Sequence, residues 1–266
     1  MRNRRNILIL GFTLGLLTMG NTVGTRNGGQ HEWERSEMEE FLQNAKIVSI
    51  DKDQEAGRTS PWEIALQAGD KTEKGFFKHV DRRRPGFLAD SYIYELAAYE
   101  LDRMLDANMV PPVVNRQVEN IDGSLQLFVV GCMRESDRSR RSISPPNEIN
   151  FEDLKKEISV FEHLTYCVPN DPDDILIQEE CWKVWRVDFS QAFVPEHNLI
   201  PKLPVLRCSR KLWRNLNNLN EDEVRKRLAA FLNPQEIEAV LARRLNLIKK
   251  LQSLIEQKGE DAVLFP

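Results

Sequence analysis

Between positions 45 and 80 the apolar residues come in short alternating bursts. Residues 46–50, then Trp62, Ile64 and Leu66, then residues 75–80 read as strands. Turn chemistry at Ala56-Gly57 and Ala68-Gly69-Asp70 separates them. After a basic loop, RRRPG at 82–86, the period becomes helical. Tyr94, Ala97, Ala98, Leu101 and Leu105 share one stripe, Ser91 stands at the N-cap and Pro111-Pro112 stops the run. The spacing predicts a helix over 91–107. Two more strand-like runs, 113–118 and 124–130, are parted by a turn expected at Asp122-Gly123. The first half therefore reads as an antiparallel sheet with one long helix inserted.

The second half is different. Residues 134–146 are polar, end in Pro-Pro and read as a surface loop whose four arginines could meet an acidic partner. Residues 151–164 are helical in pattern, 175–177 and 184–187 are short strand-like runs, and most of the remainder is helical. The last helix is punctuated by Asn233 as N-cap, Pro234 and Glu236 in its first turn and Gly259 past its end. Its stripe is Ile237, Val240, Leu241, Leu245, Ile248, Leu251 and Ile255. A β-rich half followed by an α-rich half predicts an α+β fold in two lobes.

Composition narrows the class. The chain has 266 residues, 41% hydrophobic and 29% charged. That is enough for a sizeable core, and it excludes general disorder and a disulfide miniprotein. Residues 1–5 are basic, 7–19 are apolar and small or polar residues follow, which is the order of a secretory signal peptide. Thirteen apolar residues are short for a bilayer core, which takes about 20. Export with removal of residues 1–30 is therefore expected, with membrane contact only transient, or anchorage if the segment stays uncleaved. Four of the 37 basic residues lie in those first 30 positions, which hold no Asp or Glu, so the remainder carries -8 rather than the overall -4. A net-acidic body argues against nucleic acid as a partner. Cys132, Cys167, Cys181 and Cys208 show no metal-site spacing, and in an oxidising compartment an even count permits one or two disulfides. The expected organisation is a leader (1–30), a β-rich N-lobe (31–130) and a helical C-lobe (131–266).

Three charged residues stand where charge is costly. Lys78 lies in GFFKHVD among Phe76, Phe77 and Val80, Glu95 begins the YELAAYELDRML helix beside its apolar stripe, and Asp188 ends the apolar strand VWRVDF. Each has a plainer reading: a snorkelling edge-strand lysine, a first-turn acid favoured by the helix dipole, and a turn former. Together, a strand lysine, a helix glutamate and a later strand-end aspartate form the set with which protein kinases hold phosphates, orient the lysine and bind Mg2+.

Over about residues 41–254 the chain resembles the atypical kinase group that gathers phosphatidylinositol 3- and 4-kinase-like proteins, HipA-like toxins and the secreted Golgi casein-kinase and four-jointed families. The resemblance rests on GRTSPWEIAL before GFFK, on YELAAYELDRMLDANMVPPVV, on GSLQLFV, on VWRVDFSQAF and on LPVLRCSRKLW with LARRLNLIKKL. It implies a two-lobed protein kinase-like fold that binds ATP with Mg2+ or Mn2+. In it Lys78 and Glu95 would be the nucleotide lysine and its partner, Asp188 a metal ligand, and residues 57–61, with Gly57 and Thr59, the counterpart of a phosphate-covering loop.

The chain departs from this group in the catalytic loop. Where the group's pattern resembles FDxLIxNxDRxxGNxL, this sequence has FEHLTYCVPNDPDDILI. Cys167 then falls at the first Asn, Pro169 at the catalytic Asp and Asp174 at the metal Asn. Proline cannot accept a proton, whereas Asp174 can still bind a hard cation with Asp188. Losing a positioned base costs about 10²–10⁴-fold in rate. The expected function is an exported pseudokinase that binds nucleotide with weak or no phosphoryl transfer. The alternatives are an active Ser/Thr or small-molecule kinase using Asp171 or Asp173 as base, and a non-catalytic module that engages a protein partner.

Overall fold

The computed structural model describes residues 35–52, 60–83, 88–169 and 171–266. The expected leader and the loop bearing Gly57 and Thr59 lie outside the described residues. In order, the elements are α1 (Arg35–Asn44), β1 (Lys46–Asp51), β2 (Trp62–Ala68), β3 (Lys71–Lys78), β4 (Asp81–Arg82), β5 (Asp90–Ser91), α2 (Tyr92–Leu105), β6 (Val113–Val118) and β7 (Ile121–Leu127). There follow β8 (Cys132–Arg134), α3 (Glu135–Arg140), α4 (Glu148–Thr165), a 3-10 turn (Pro172–Asp174), β9 (Ile175–Gln178), β10 (Val184–Arg186), β11 (Cys208–Ser209), α5 (Arg210–Asn218), α6 (Glu221–Leu228), α7 (Pro234–Lys258), α8 (Glu260–Val263) and β12 (Leu264–Phe265).

The principal sheet is antiparallel in the order β1-β2-β3-β7-β6. Lys78 thus lies on its central strand, paired with Ser124, and not on an edge. Alternation along the strands divides the sheet. Phe77, Leu125, Ile64, Leu66, Val114 and Val118 face one way and form a core with Met38, Phe41 and Leu42 of α1. Lys78, one residue beyond Phe77, emerges on the opposite face, where α2 lies against β6 and β7. The covering helix α1 was not anticipated from sequence.

The hairpin between β6 and β7 corrects one expectation. The chain reverses at Glu119-Asn120, with φ of 50° and 64°, as a two-residue primed turn requires. Asp122 and Gly123 lie inside β7 instead. Gly123 is there for close approach: a Cβ would fall 2.4 Å from the Lys78 carbonyl oxygen and 2.5 Å from the Phe77 ring.

The larger core joins Ala97, Ala98, Leu101 and Leu105 of α2 to apolar residues of α4, α5, α6 and α7. It also takes in Ile177 and Val184 of the small β10-β9-β8 sheet. A β-rich lobe and a helical lobe make this an α+β, two-lobed fold. Helix α7 begins with the expected capping box, Asn233 and Glu236, and ends at Gly259 with φ 84°. Its buried stripe differs from the expected one, because Leu245 is exposed while Leu247, Arg243 and Arg244 are buried. The two guanidiniums repair carbonyl ends elsewhere, Arg243 donating to Leu164 O at 3.1 Å and Arg244 to Leu216 O at 2.7 Å. The segment 134–146 is not all loop: residues 135–140 form a helical turn, with Glu135–Arg138 and Asp137–Arg140 pairs at i,i+3 spacing.

Candidate functional site

Lys78 leaves the central strand and meets carboxylates from two distant parts of the chain. Its Nζ donates to Glu95 Oε1 at 2.6 Å and to Asp188 Oδ1 at 2.9 Å. The Glu95 pair is nearly dry, with side chains 14% and 2% exposed, whereas Asp188 is 46% exposed. Burial opposes the charge on Lys78, but Glu95 and Asp188 more than offset it and hold the ammonium above the ordinary lysine range. Burial would likewise raise Asp188, yet Lys78 and the hydrogen bonds from Lys78 and Ser190 hold it below the ordinary carboxylate range.

Local structure fixes these groups. Ser91 caps α2 by accepting from Ile93 N at 3.2 Å and donates to Asp81 Oδ1 at 2.8 Å, which sets the first turn that carries Glu95. The Ser91 amide donates to Ser190 O at 2.8 Å, and Phe189 N donates to Glu95 Oε1 at 3.1 Å. The start of α2 is thereby tied to the segment just after Asp188. Asp188 itself sits in the left-handed region at φ 60°, a strained conformation outside glycine.

A second cluster lies beside the first. Arg186 is 1% exposed. Its Nε donates to Glu162 Oε1 at 3.0 Å and its Nη2 to Cys167 Sγ at 3.2 Å, while Nη1 stands 3.4 Å from Asp174 Oδ2 and donates to the Val187 carbonyl. Cys167 donates to the Asp188 carbonyl at 3.7 Å, and burial pushes its thiol up to about 12. Burial pushes the Asp174 carboxyl up to about 7, with Arg186 opposing and Asp188 and Asp171 adding to the rise. Asp174 is thus within electrostatic reach of the Lys78 group. Reasoning from sequence missed Arg186 and Glu162. The available signal was a charged residue inside the apolar run VWRV.

The two candidate bases are placed differently. Asp173 accepts from Ser136 Oγ and, at 3.0 Å, from Arg134 Nη1, so both its oxygens are engaged by α3 and β8. Asp171 caps the 3-10 turn through Oδ1, which accepts from Asp173 N at 2.9 Å. Pro169 is exposed.

The donor set suits a hard divalent cation. Among the described residues, Lys78 Nζ and Ser190 N meet Asp188 at Oδ1 and Arg186 meets Asp174 at Oδ2, so a ligand would meet the other oxygen of each carboxylate. Among the described residues no group of three or more His, Cys, Asp or Glu converges on a metal position. Two carboxylates suffice where substrate phosphates complete the shell.

A central-strand lysine bound to a helix glutamate, facing a strand-end aspartate between a β-rich and a helical lobe, is the arrangement of a protein kinase-like fold. Solved structures agree. Hydra Fam20, described with sugar, superposes with a TM-score of 0.64 at 16% identity, covering 85% of this chain and 90% of the other. The Golgi casein kinase with Mn/ADP bound superposes at 0.59 and 13% identity, covering 86% and 78%. A second Golgi casein kinase structure gives 0.61 at 11% identity, covering 86% and 77%. No family model and no curated protein sequence matches the chain. Among the described residues no helix is long and apolar enough to cross a membrane.

Proposed function

We propose that this protein binds ATP with Mg2+ or Mn2+ in the cleft at Lys78 and transfers its phosphate weakly or not at all. The observation that carries this reading is the double contact of Lys78 Nζ with Glu95 and Asp188, which come from elements 17 and 110 residues away. A half-exposed aspartate bound to a nearly buried lysine offers a phosphate-binding cation and a metal-binding anion side by side. Lys78 would bind phosphate, Glu95 would hold Lys78 in place, and Asp188 with Asp174 would hold the ion, which would neutralise phosphate charge. Gly57 and Thr59 would cover the phosphates. The Golgi casein kinase, solved with Mn and ADP, supports the same ligand class here, and the basic-apolar leader supports export.

Weak transfer follows from Pro169, which offers no proton acceptor at the expected base position. Asp171 favours a second reading, slow kinase activity: only its Oδ1 is used in the cap, and its charge reaches Asp174. Asp173 would serve as base only by giving up Ser136 and Arg134.

Thermal-shift titration with ATP and Mn2+ tests the main reading. A rise in the native protein, lost in Lys78→Ala and Asp188→Ala, is expected; no shift at millimolar ATP with either metal rejects it. Radiolabelled ATP tests turnover, and loss of slow transfer in Asp171→Asn, with Asp173→Asn unaffected, would establish the second reading.

A further inference from the structure

Arg186 is, with Arg243, the largest fully buried side chain among the described residues, and it stands two residues before Asp188. Its partners come from the segment that departs furthest from the kinase pattern. Glu162 lies at 3.0 Å, Cys167 at 3.2 Å and Asp174 at 3.4 Å. The guanidinium also lies 5.3 Å from the Phe189 ring centroid. The backbone fixes the same neighbourhood: Arg186 N donates to Met109 O at 2.8 Å, and Val187 N donates to Asp174 O at 2.9 Å. A delocalised cation that keeps its proton, held on every side and wholly buried, is a permanent charge of the site.

We propose that Arg186 is a built-in cation that takes the place of the divalent ion expected at Asp174, so that nucleotide is bound with a single ion at Asp188. This rests on the nucleotide-binding reading above and narrows it, since the ion then rests on Asp188 and not on Asp174. Phosphoryl-transfer sites of the protein kinase type hold two divalent ions, one on the strand-end Asp and the other on the catalytic-loop Asn. Here Asp174 replaces that Asn, and its Oδ2 already faces a guanidinium. A second divalent ion on Asp174 would be set against this fixed positive charge within contact range, where Coulomb repulsion is strong. Arg186 does not reach the ligand; it is a positioning residue acting through Asp174. Cys167 belongs to the same device, because a thiol at that place accepts from Arg186 and donates to the Asp188 carbonyl.

The test is Mn2+ stoichiometry, read by electron paramagnetic resonance on the full chain with a non-hydrolysable ATP analogue. The native protein is expected to bind one Mn2+ per nucleotide, Arg186→Lys also one, and the Glu162→Gln/Arg186→Gln double variant two. Removing the buried cation together with its counter-charge limits the damage to folding. Two Mn2+ per nucleotide in the native chain overturns the proposal without any substitution. So does a folded double variant that still binds one. Nucleotide bound without Mn2+ overturns the metal assignment alone, whereas no nucleotide bound under any condition overturns the underlying reading as well.

Discussion

The Lys78–Glu95 pair gives the sharpest energetic prediction. Replacing Lys78 by Met removes the cation from a glutamate whose side chain is 2% exposed and whose Oε2 has no hydrogen-bond partner among the described residues. Breaking a buried pair on one side costs about 3–5 kcal/mol, because the remaining charge is left uncompensated. Glu95 can relieve part of this by taking up a proton, which places the expected cost near the lower end, about 3 kcal/mol. For a domain of this size that corresponds to a loss of roughly 6–12 °C in melting temperature. Asp188→Asn removes the other partner of Lys78, but that carboxylate is half exposed, so about 1 kcal/mol or less is expected. The double variant Lys78→Met/Glu95→Leu leaves no unpaired buried charge at these two positions and should recover to within about 2 kcal/mol of the native protein. Urea unfolding followed by tryptophan fluorescence measures these four proteins and the Glu95→Leu single variant. A Lys78→Met cost below about 1 kcal/mol, or a double variant as unstable as the sum of its singles, would refute the placement of this pair in a dry site.

Gly123→Ala should destabilise by roughly 1–3 kcal/mol, because the new methyl group meets the Lys78 carbonyl and the Phe77 ring and the strands must part; an unchanged urea midpoint would contradict the packing of β7 on β3. His163 accepts from Ile200 N at 3.0 Å through Nδ1 and donates to Leu203 O at 3.1 Å through Nε2, so it is held neutral. Burial lowers its pKa, the Leu203 bond opposes this and Arg243 adds to it. Its contribution is therefore complete above about pH 6.5 and is lost as pH falls from there towards the lowered folded value. The stability of His163→Gln should fall less than that of the native protein between pH 7 and pH 5, and equal slopes would rule the effect out. The cysteines should separate by exposure: with a thiol reagent at pH 8 Cys181 reacts at once and Cys132 slowly, while Cys167 and Cys208, both raised to about 12 by burial, react only on unfolding.

The elements were legible in the sequence wherever a single period ran uninterrupted. β2, α2 and β6 follow their alternation and stripes closely, and α7 follows its caps. The failures have particular causes. Gly123 reads as a turn glycine, yet the chain turns at Glu119-Asn120, because the glycine is demanded by Phe77 and the Lys78 backbone, contacts between strands far apart in sequence. Residues 135–140 carry no apolar stripe, so the short helix there, supported by ion pairs, was invisible to periodicity. In α7, Arg243 and Arg244 occupy buried positions that a stripe of aliphatic residues cannot reveal, since their value lies in reaching carbonyls of other segments. In the candidate site Lys78, Glu95 and Asp188 stood out because each is a charge in an apolar setting. Arg186 has the same signature, but its meaning depends on Glu162, Cys167 and Asp174, which only the fold brings together.

The energetic character of the Lys78 group separates a ligand site from a scaffold. A module kept only for its shape gains nothing from Lys78, because a buried ion pair can be replaced by apolar residues of similar volume at little or no cost in stability. It gains less still from Asp188, which sits at φ 60° and keeps a half-exposed carboxylate beside that lysine. Backbone strain and shifted ionisation held in one place by surrounding structure are what a binding site carries and a scaffold has no need of. The catalytic-loop segment shows the opposite economy. Asp173 is engaged by Ser136 and Arg134, Cys167 by Arg186 and the Asp188 carbonyl, and Pro169 offers no proton acceptor. The Lys78 group thus keeps a half-exposed carboxylate, whereas the side chains of the segment around Cys167 and Asp173 are engaged with neighbouring groups.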